Sequence, residues 1–330
     1  MDINSRSAES KKKRWLTSPY SFKDNLTLVL NYIKGPSRKY NGSADWIPKN
    51  DTLNTVTPTC SILFLGDFLP VGGYQLEFDP RLKKLAAESD YLVVNLEGIM
   101  TKRPHTALFC LTHSMKNFLY LTELKPAENI IVSVANNHSA DHGKVELFRC
   151  IEALKHLGFK VMGTLDSPSQ VIADNISISA ATNWSNQSCD YIAKLPEVTP
   201  IDSAFNILYP HWGHEFELYP REQQVEYAKS LLADWDMVVG HHSHVPQPIS
   251  AYSINTGKRN VKQIVAYSLG DFATNLSQSF FKHGVVFRSE IGLATTSELA
   301  AGNAQWYFSY CNRLDRKTIR VELNTTCRYF

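Results

Sequence analysis

A chain of 330 residues, 43% hydrophobic and 20% charged, has the length to bury a large core and the composition of a soluble globular protein. Its net charge of +2 excludes a nucleic-acid binder that relies on a dominant basic surface. No stretch reaches the roughly 18 apolar residues that a membrane-spanning helix needs, and the first 25 residues lack the apolar core of a signal peptide, so a cytoplasmic protein without a transmembrane anchor is expected.

Residues 1–57 are polar and broken by Pro19, Gly35-Pro36, Asn41-Gly42 and Pro48. They read as an N-terminal tail with a basic cluster, Lys11-Lys12-Lys13-Arg14, one short helix near 22–34, and a loop. Residues 58–330 read as one domain, whose core begins at the apolar run 60–65 between Pro58 and Gly66. A helical stretch at 81–88 leads to a strand at 91–96; 115–125 reads as helical and 129–134 as a buried strand. In 143–157, Val145, Phe148, Ile151, Leu154 and Leu157 form a three-residue helical drift that ends at Gly158. Strands follow near 159–162, 176–181 and 205–210, then a helix at 221–233 and strands at 236–239 and 264–269. The last 45 residues carry three runs (285–287, 306–310 and 318–321) that resemble antiparallel strands. This order predicts an α/β layered fold, central sheets flanked by helices, with an added C-terminal β-region. Six widely spaced cysteines without a CxxC pair fit reduced thiols.

Polar residues recur at the strand exits. Asp67 follows the first core strand, and Asn95 and Glu97 follow the second. Asn136, Asn137 and His138 follow the third, with Asp141 three residues on. His211 ends a later strand with Glu215 close behind, and Gly240-His241-His242-Ser243-His244 follows the apolar run Met237–Val239. Singly, each is a turn carboxylate, a helix cap or a polar loop. Recurrence at consecutive exits points elsewhere: in a mostly parallel sheet those exits share one edge, so Asp67, Glu97, Asn137, His211, His242 and His244 converge. Two carboxylates, an amide oxygen and three imidazoles suit one or two ions of Mn²⁺, Fe²⁺, Zn²⁺ or Ni²⁺ rather than Ca²⁺. Such ions polarise water into a nucleophile. His138 is then the candidate proton donor to a leaving oxygen, with Asp141 as its catalytic partner.

These segments resemble the CapA family, the poly-γ-glutamate capsule synthesis proteins, which share the calcineurin-like metallophosphatase fold. The resemblance runs over residues 60–275 through Leu65-Gly66-Asp67, Val94-Asn95-Leu96-Glu97-Gly98, Ala135-Asn136-Asn137-His138, His211-Trp212-Gly213-His214-Glu215, Val239 to Pro248, and Tyr267-Ser268-Leu269-Gly270-Asp271-Phe272. It implies Asp67 as the first-motif ligand, Glu97 as the bridging carboxylate, Asn137 and His138 as the Asn-His pair, His211 as the lone histidine ligand, and His242 with His244 as the Gly-His-x-His pair. Asn95, Asn136, Glu215, His241 and Asp271 fall in substrate-binding or outer positions. Three departures stand out: Leu69 where metallophosphatases carry a histidine, Ser243 for a proline, and Asp271 for an asparagine.

The implied function is a soluble metal-dependent hydrolase that cleaves an anionic phosphoester with metal-activated water. Arg81, Lys102, Arg103 and His105 lie near the predicted site loops in sequence. One alternative is a protein for synthesis, processing or export of poly-γ-glutamate or a similar acidic polymer. Another is a non-catalytic binding protein with a degenerate site, for which Leu69 speaks.

Overall fold

The computed structural model describes residues 18–102, 110–173, 175–255, 260–295 and 297–330. Two large sheets face one another across the main core. In spatial order the first runs Gln75–Phe78, Thr318–Asn324, Leu299–Arg313, His283–Ala294, Val56–Phe68, Tyr91–Leu96, Ile130–Ser133 and Lys160–Met162, with Asn50–Thr52 and Asp271–Ala273 attached. Its last four strands are parallel, whereas His283–Ala294, Leu299–Arg313 and Thr318–Asn324 pair antiparallel. The second sheet runs Ile249–Asn255, Asn260–Ala266, Met237–Val239, Phe205–His211, Ile176–Thr182 and Ser169–Ala173. Its four inner strands are parallel and both edge strands antiparallel.

Burial on both faces explains the unbroken apolar runs of the parallel strands. Alternation along the second sheet sorts its side chains between layers. Ile207, Tyr209, Met237, Val239, Ile264 and Ala266 join the core between the sheets. Leu208, Val238 and Val265 point outward to Trp212, Trp235 and the helix Glu222–Leu231. The helix Pro80–Ala87 starts on an Asp79 cap that accepts from the Arg81 N–H at 2.8 Å, with proline in its first turn. In the helix Lys144–His156 the buried stripe is Leu147, Cys150, Ile151 and Leu154. Val145, counted in the three-residue drift, is 59% exposed, because the inward face follows the i, i+3, i+4, i+7 spacing instead.

Other elements differ from the sequence reading in detail. Residues 115–125 split into Met115–Leu119 and the 3₁₀ turn Tyr120–Glu123, and the strand expected at 264–269 is Asn260–Ala266. The strands Asn50–Thr52, Gln75–Phe78, Ser169–Ala173 and Ile249–Asn255 were not anticipated; all are edge or attached strands with short or mixed polar patterns. The described part of the polar N-terminal region packs on the rest. The helix Phe22–Lys34 is capped by Ser21, Ile47 and Leu53 enter the main core, and Trp46 packs against Trp306 with ring centroids 4.6 Å apart. All six cysteines are free thiols. No helix among the described residues is long and apolar enough to cross a membrane.

Candidate metal centre

The polar strand exits do not share one sheet. Asp67, Asn95, Glu97 and Asn137 leave the first sheet and His211 and the 241–244 loop leave the second, so the cluster forms where two sets of strand ends meet. Close backbone approach sets the first of them in place. Asp67 pairs with Asp271 in parallel register and donates its N–H to the Gly270 carbonyl at 2.8 Å. A Cβ on Gly66 would lie 1.9 Å from that same carbonyl oxygen, so only glycine fits before Asp67. Across the centre, His242 and His244 hold left-handed backbone, with φ of 103° and 56°. Such conformations cost about 1–3 kcal/mol each and persist only where the surroundings enforce them.

Asp67 is fully buried and saturated. Its Oδ1 accepts from the Asn95 amide at 2.7 Å and lies 2.9 Å from His241 Nδ1, and its Oδ2 accepts from the His242 N–H at 2.8 Å. Burial pushes its pKa up, but His241, His244 and Asn95 outweigh that and hold it below the usual carboxylate value. Glu97 is its opposite: equally buried, yet neither carboxylate oxygen accepts a hydrogen bond. Burial first, then Asp67, Asp271 and Glu215, raise its pKa well above the ordinary value against the pull of His244.

The imidazoles converge on Glu97. His244 Nε2 lies 3.6 Å and His138 Nε2 4.0 Å from Glu97 Oε1. Asp271 Oδ1, 2.8 Å from His244 Nδ1, turns the other ring nitrogen inward. Burial opposes charge on His244, but Glu97 and Asp271 overcome it and raise its pKa well above 6.5. His211 and His242 are held neutral, their pKa values lowered by burial and by the other histidines. His211 Nε2 lies 3.0 Å from Asn137 Oδ1, and its Nδ1 lies 2.9 Å from His241 Nδ1. His242 Nδ1 has no partner.

Four overlapping sets place one ligand atom from each member within 4.8 Å of the others: Asp67, His211 and His241; Glu97, His211 and His242; Glu215, His242 and His244; Asp67, Glu97 and His244. Five of the six candidate ligands read from the sequence fall in these sets, and the sixth, Asn137, adjoins them through its Oδ1 3.0 Å from His211 Nε2. His241 and Glu215, placed in outer positions, also stand within ligand distance. Asn136 holds the loop, donating to the Leu96 carbonyl at 2.7 Å and accepting from the His138 N–H at 3.1 Å. His138 pairs with Asp141 through Nδ1 at 2.7 Å and, at 9% exposure, is less enclosed than His211 and His242. Leu69 sits in an apolar cluster with Phe216, Leu218, Val245, Phe280 and Phe281, two of whose rings flank His244.

Some positions were missed and some misplaced. Tyr20, from the N-terminal region, is buried with its hydroxyl 2.5 Å from His242 Nε2 and 3.3 Å from Glu215 Oε1. Its ring packs on Trp184 and His214. A lone tyrosine after Pro19 carries no sequence signal of this. His113 Nε2 lies 2.7 Å from the Glu97 carbonyl; burial lowers its pKa to about 4, so it is neutral and donates through that nitrogen. Arg81 is not at the centre: Asp79 at 2.7 Å and the Leu323 carbonyl tie it down. Arg103 and His105 lie outside the described residues.

The chain resembles several known proteins. It is 24% identical over 264 residues to the PGA biosynthesis protein CapA of Bacillus subtilis, covering 69% of this chain and 67% of that protein. It is 24% identical over 176 residues to the capsule biosynthesis protein CapA of Bacillus anthracis, covering 45% of this chain and 41% of that one. A Staphylococcus aureus protein provisionally named a 5′-nucleotidase, crystallised with α-ketoglutarate, superposes at TM-score 0.39 and 14% identity over 74% of this chain and 54% of its own. That degree of likeness leaves the fold to be read from the chain itself. Residues 61–176 and 174–276, which supply all the candidate ligands, match the bacterial capsule synthesis protein family PGA_cap, and the chain belongs to that family.

Proposed function

We propose that this chain is a metal-dependent hydrolase of phosphoesters, with Asp67, Glu97, Asn137, His211, His242 and His244 holding one or two divalent transition ions. The observation that carries the reading is Glu97: a buried carboxylate whose oxygens accept no hydrogen bond, with the His211, His242 and His244 rings within ligand distance of it. Burying a carboxylate that accepts no hydrogen bond is costly, and a dication bound by oxygen and nitrogen donors removes that cost. The mixed set fits Mn²⁺, Fe²⁺ or Zn²⁺. When bound, such an ion supplies Lewis-acid activation of water and neutralises charge on the substrate.

The chain's own residues do the rest. Asp271 fixes His244 through Nδ1, and Tyr20 fixes His242 through Nε2. Asp141 holds His138 through Nδ1, which leaves Nε2 as the atom that delivers a proton to the leaving oxygen. The Tyr20, Trp184 and His214 rings pack on one another beside His242. A cytoplasmic location and an anionic substrate complete the reading.

The test is hydrolysis of bis-p-nitrophenyl phosphate by the metal-loaded protein and by His138→Ala. The variant is expected to keep its metal content and lose about 10²–10⁴-fold in kcat. Equal activity in the two proteins overturns the role of His138, and an inactive parent overturns phosphoester hydrolysis. The names of the Bacillus relatives favour a second reading, action on poly-γ-glutamate, which shortening of that polymer in the same assay would support. Absence of both activities would favour a binding protein, with Leu69 in place of a ligand as its cause.

Tyr20→Phe keeps the ring contacts and removes only the hydroxyl on His242. Outer partners of metal-ligating histidines typically contribute 10–100-fold in affinity. We therefore expect a roughly tenfold weaker hold on the metal, read by competition with a chelator.

A further inference from the structure

The helix Phe22–Lys34 is turned the wrong way round for a helix that serves only its own core. Phe22, Leu26, Val29, Leu30 and Ile33 are 87, 55, 52, 43 and 73% exposed, and no residue of the helix is fully buried. Positions 22, 26, 29, 30 and 33 form one continuous apolar stripe at helical spacing. The opposite side makes the contacts with the protein. Asp24 pairs with Arg221 at 2.8 Å, the Asn25 amide donates to the Tyr20 carbonyl at 3.0 Å, and Leu28 packs on the cluster around Phe216. The helix is thus fixed by its more polar side and offers its apolar side to the outside.

Charge selects the partner. Exposed Lys23 and Lys34 border the stripe, and Lys11-Lys12-Lys13-Arg14 precede it. The first 34 residues hold seven basic and three acidic side chains, net +4, against +2 for the whole chain, so the remainder is net −2. Residues 1–17 themselves offer only Met1, Ile3, Trp15 and Leu16 as large apolar side chains, too few to cover the stripe.

We propose that the helix Phe22–Lys34 lies in the headgroup layer of an anionic lipid membrane, with Phe22, Leu26, Val29, Leu30 and Ile33 entering the apolar boundary, Lys23 and Lys34 held by lipid phosphates, and the positive charge of the preceding sequence adding to the attraction. Apolar burial and attraction to anionic headgroups are the two terms that bind such interfacial helices. The lysine stems reach outward from the edge of the stripe to keep their ammonium groups at the headgroups. This inference is independent of the metal reading.

The test is co-sedimentation of the full chain with vesicles of phosphatidylcholine alone and of phosphatidylcholine mixed with phosphatidylglycerol. Binding is expected to the mixed vesicles and to weaken in about 1 M salt, where screening is short-ranged. Leu26→Glu with Ile33→Glu should lower the partition coefficient at least about tenfold, and neutralising residues 11–14 to glutamine should lower it on the mixed vesicles only. All these positions are exposed or outside the described fold, so an unchanged melting temperature checks that the variants are folded. No binding to the mixed vesicles, or binding that survives the double variant, overturns the proposal. So does a lipid-free dimer that the double variant dissolves, because the stripe would then belong to a second copy of the chain.

Discussion

Glu97→Gln is expected to make the metal-free protein more stable while abolishing both its stabilisation by metal and its turnover. In the parent, a carboxylate without a hydrogen-bond partner is enclosed among Asp67, Asp271 and Glu215, and burial already drives it toward its neutral form. Glutamine keeps the shape and removes the charge, so the metal-free fold loses a repulsive element. The same change removes a carboxylate that enters two of the ligand sets, one completed by His211 and His242 and the other by Asp67 and His244. For the parent, an ion at about 100 times its dissociation constant adds about 2.7 kcal/mol. Thermal melting with and without Mn²⁺ or Zn²⁺ separates the outcomes. A metal-free variant that is weaker than the parent and still gains on metal addition would make Glu97 a structural residue.

Asp67→Ala is expected to act in the opposite way, lowering the unfolding free energy of the metal-free protein by about 3–5 kcal/mol. The carboxylate serves three partners at once: the Asn95 amide, the His242 N–H and the His241 ring. Deleting it leaves those groups buried without an acceptor, and the His242 backbone already holds φ 103°. Urea unfolding in the presence of a chelator measures this without a contribution from bound metal. A loss below about 1 kcal/mol would mean that the loop around His242 holds itself.

These two carboxylates illustrate how much of the centre was legible in the sequence. Both could be named because each follows a run of four or more apolar residues that marks a buried parallel strand, and polar residues after such runs gather at sheet edges. Their different tasks were not legible, because saturation of Asp67 and isolation of Glu97 depend on Asn95, His241 and the 240–244 loop arriving from elsewhere in the chain. The sequence argument also placed all exits on one sheet. Only the alternation of Ile207, Leu208 and Tyr209 between two cores reveals the second. Tyr20 escaped notice for a simpler reason: its neighbours are polar, and a single aromatic residue has no period. The helix that follows it was expected near 22–34, with no reading of which way its apolar side turns. Spacing fixes which residues share a side of a helix and is silent about which way that side turns.

The order of strands in the first sheet has a consequence for how the chain is made. Val56–Phe68, which ends in Asp67, lies between Tyr91–Leu96 on one side and His283–Ala294 on the other. The second neighbour is beyond residue 276, where the family match stops. During synthesis the earlier strands and every histidine of the cluster therefore emerge while one flank of the Asp67 strand still has bare N–H and C=O groups. Until the last hairpins arrive, that flank is open to pairing with another nascent chain. The C-terminal β-region thus acts as a built-in guard, closing the edge of a strand that ends in a candidate ligand it does not itself supply.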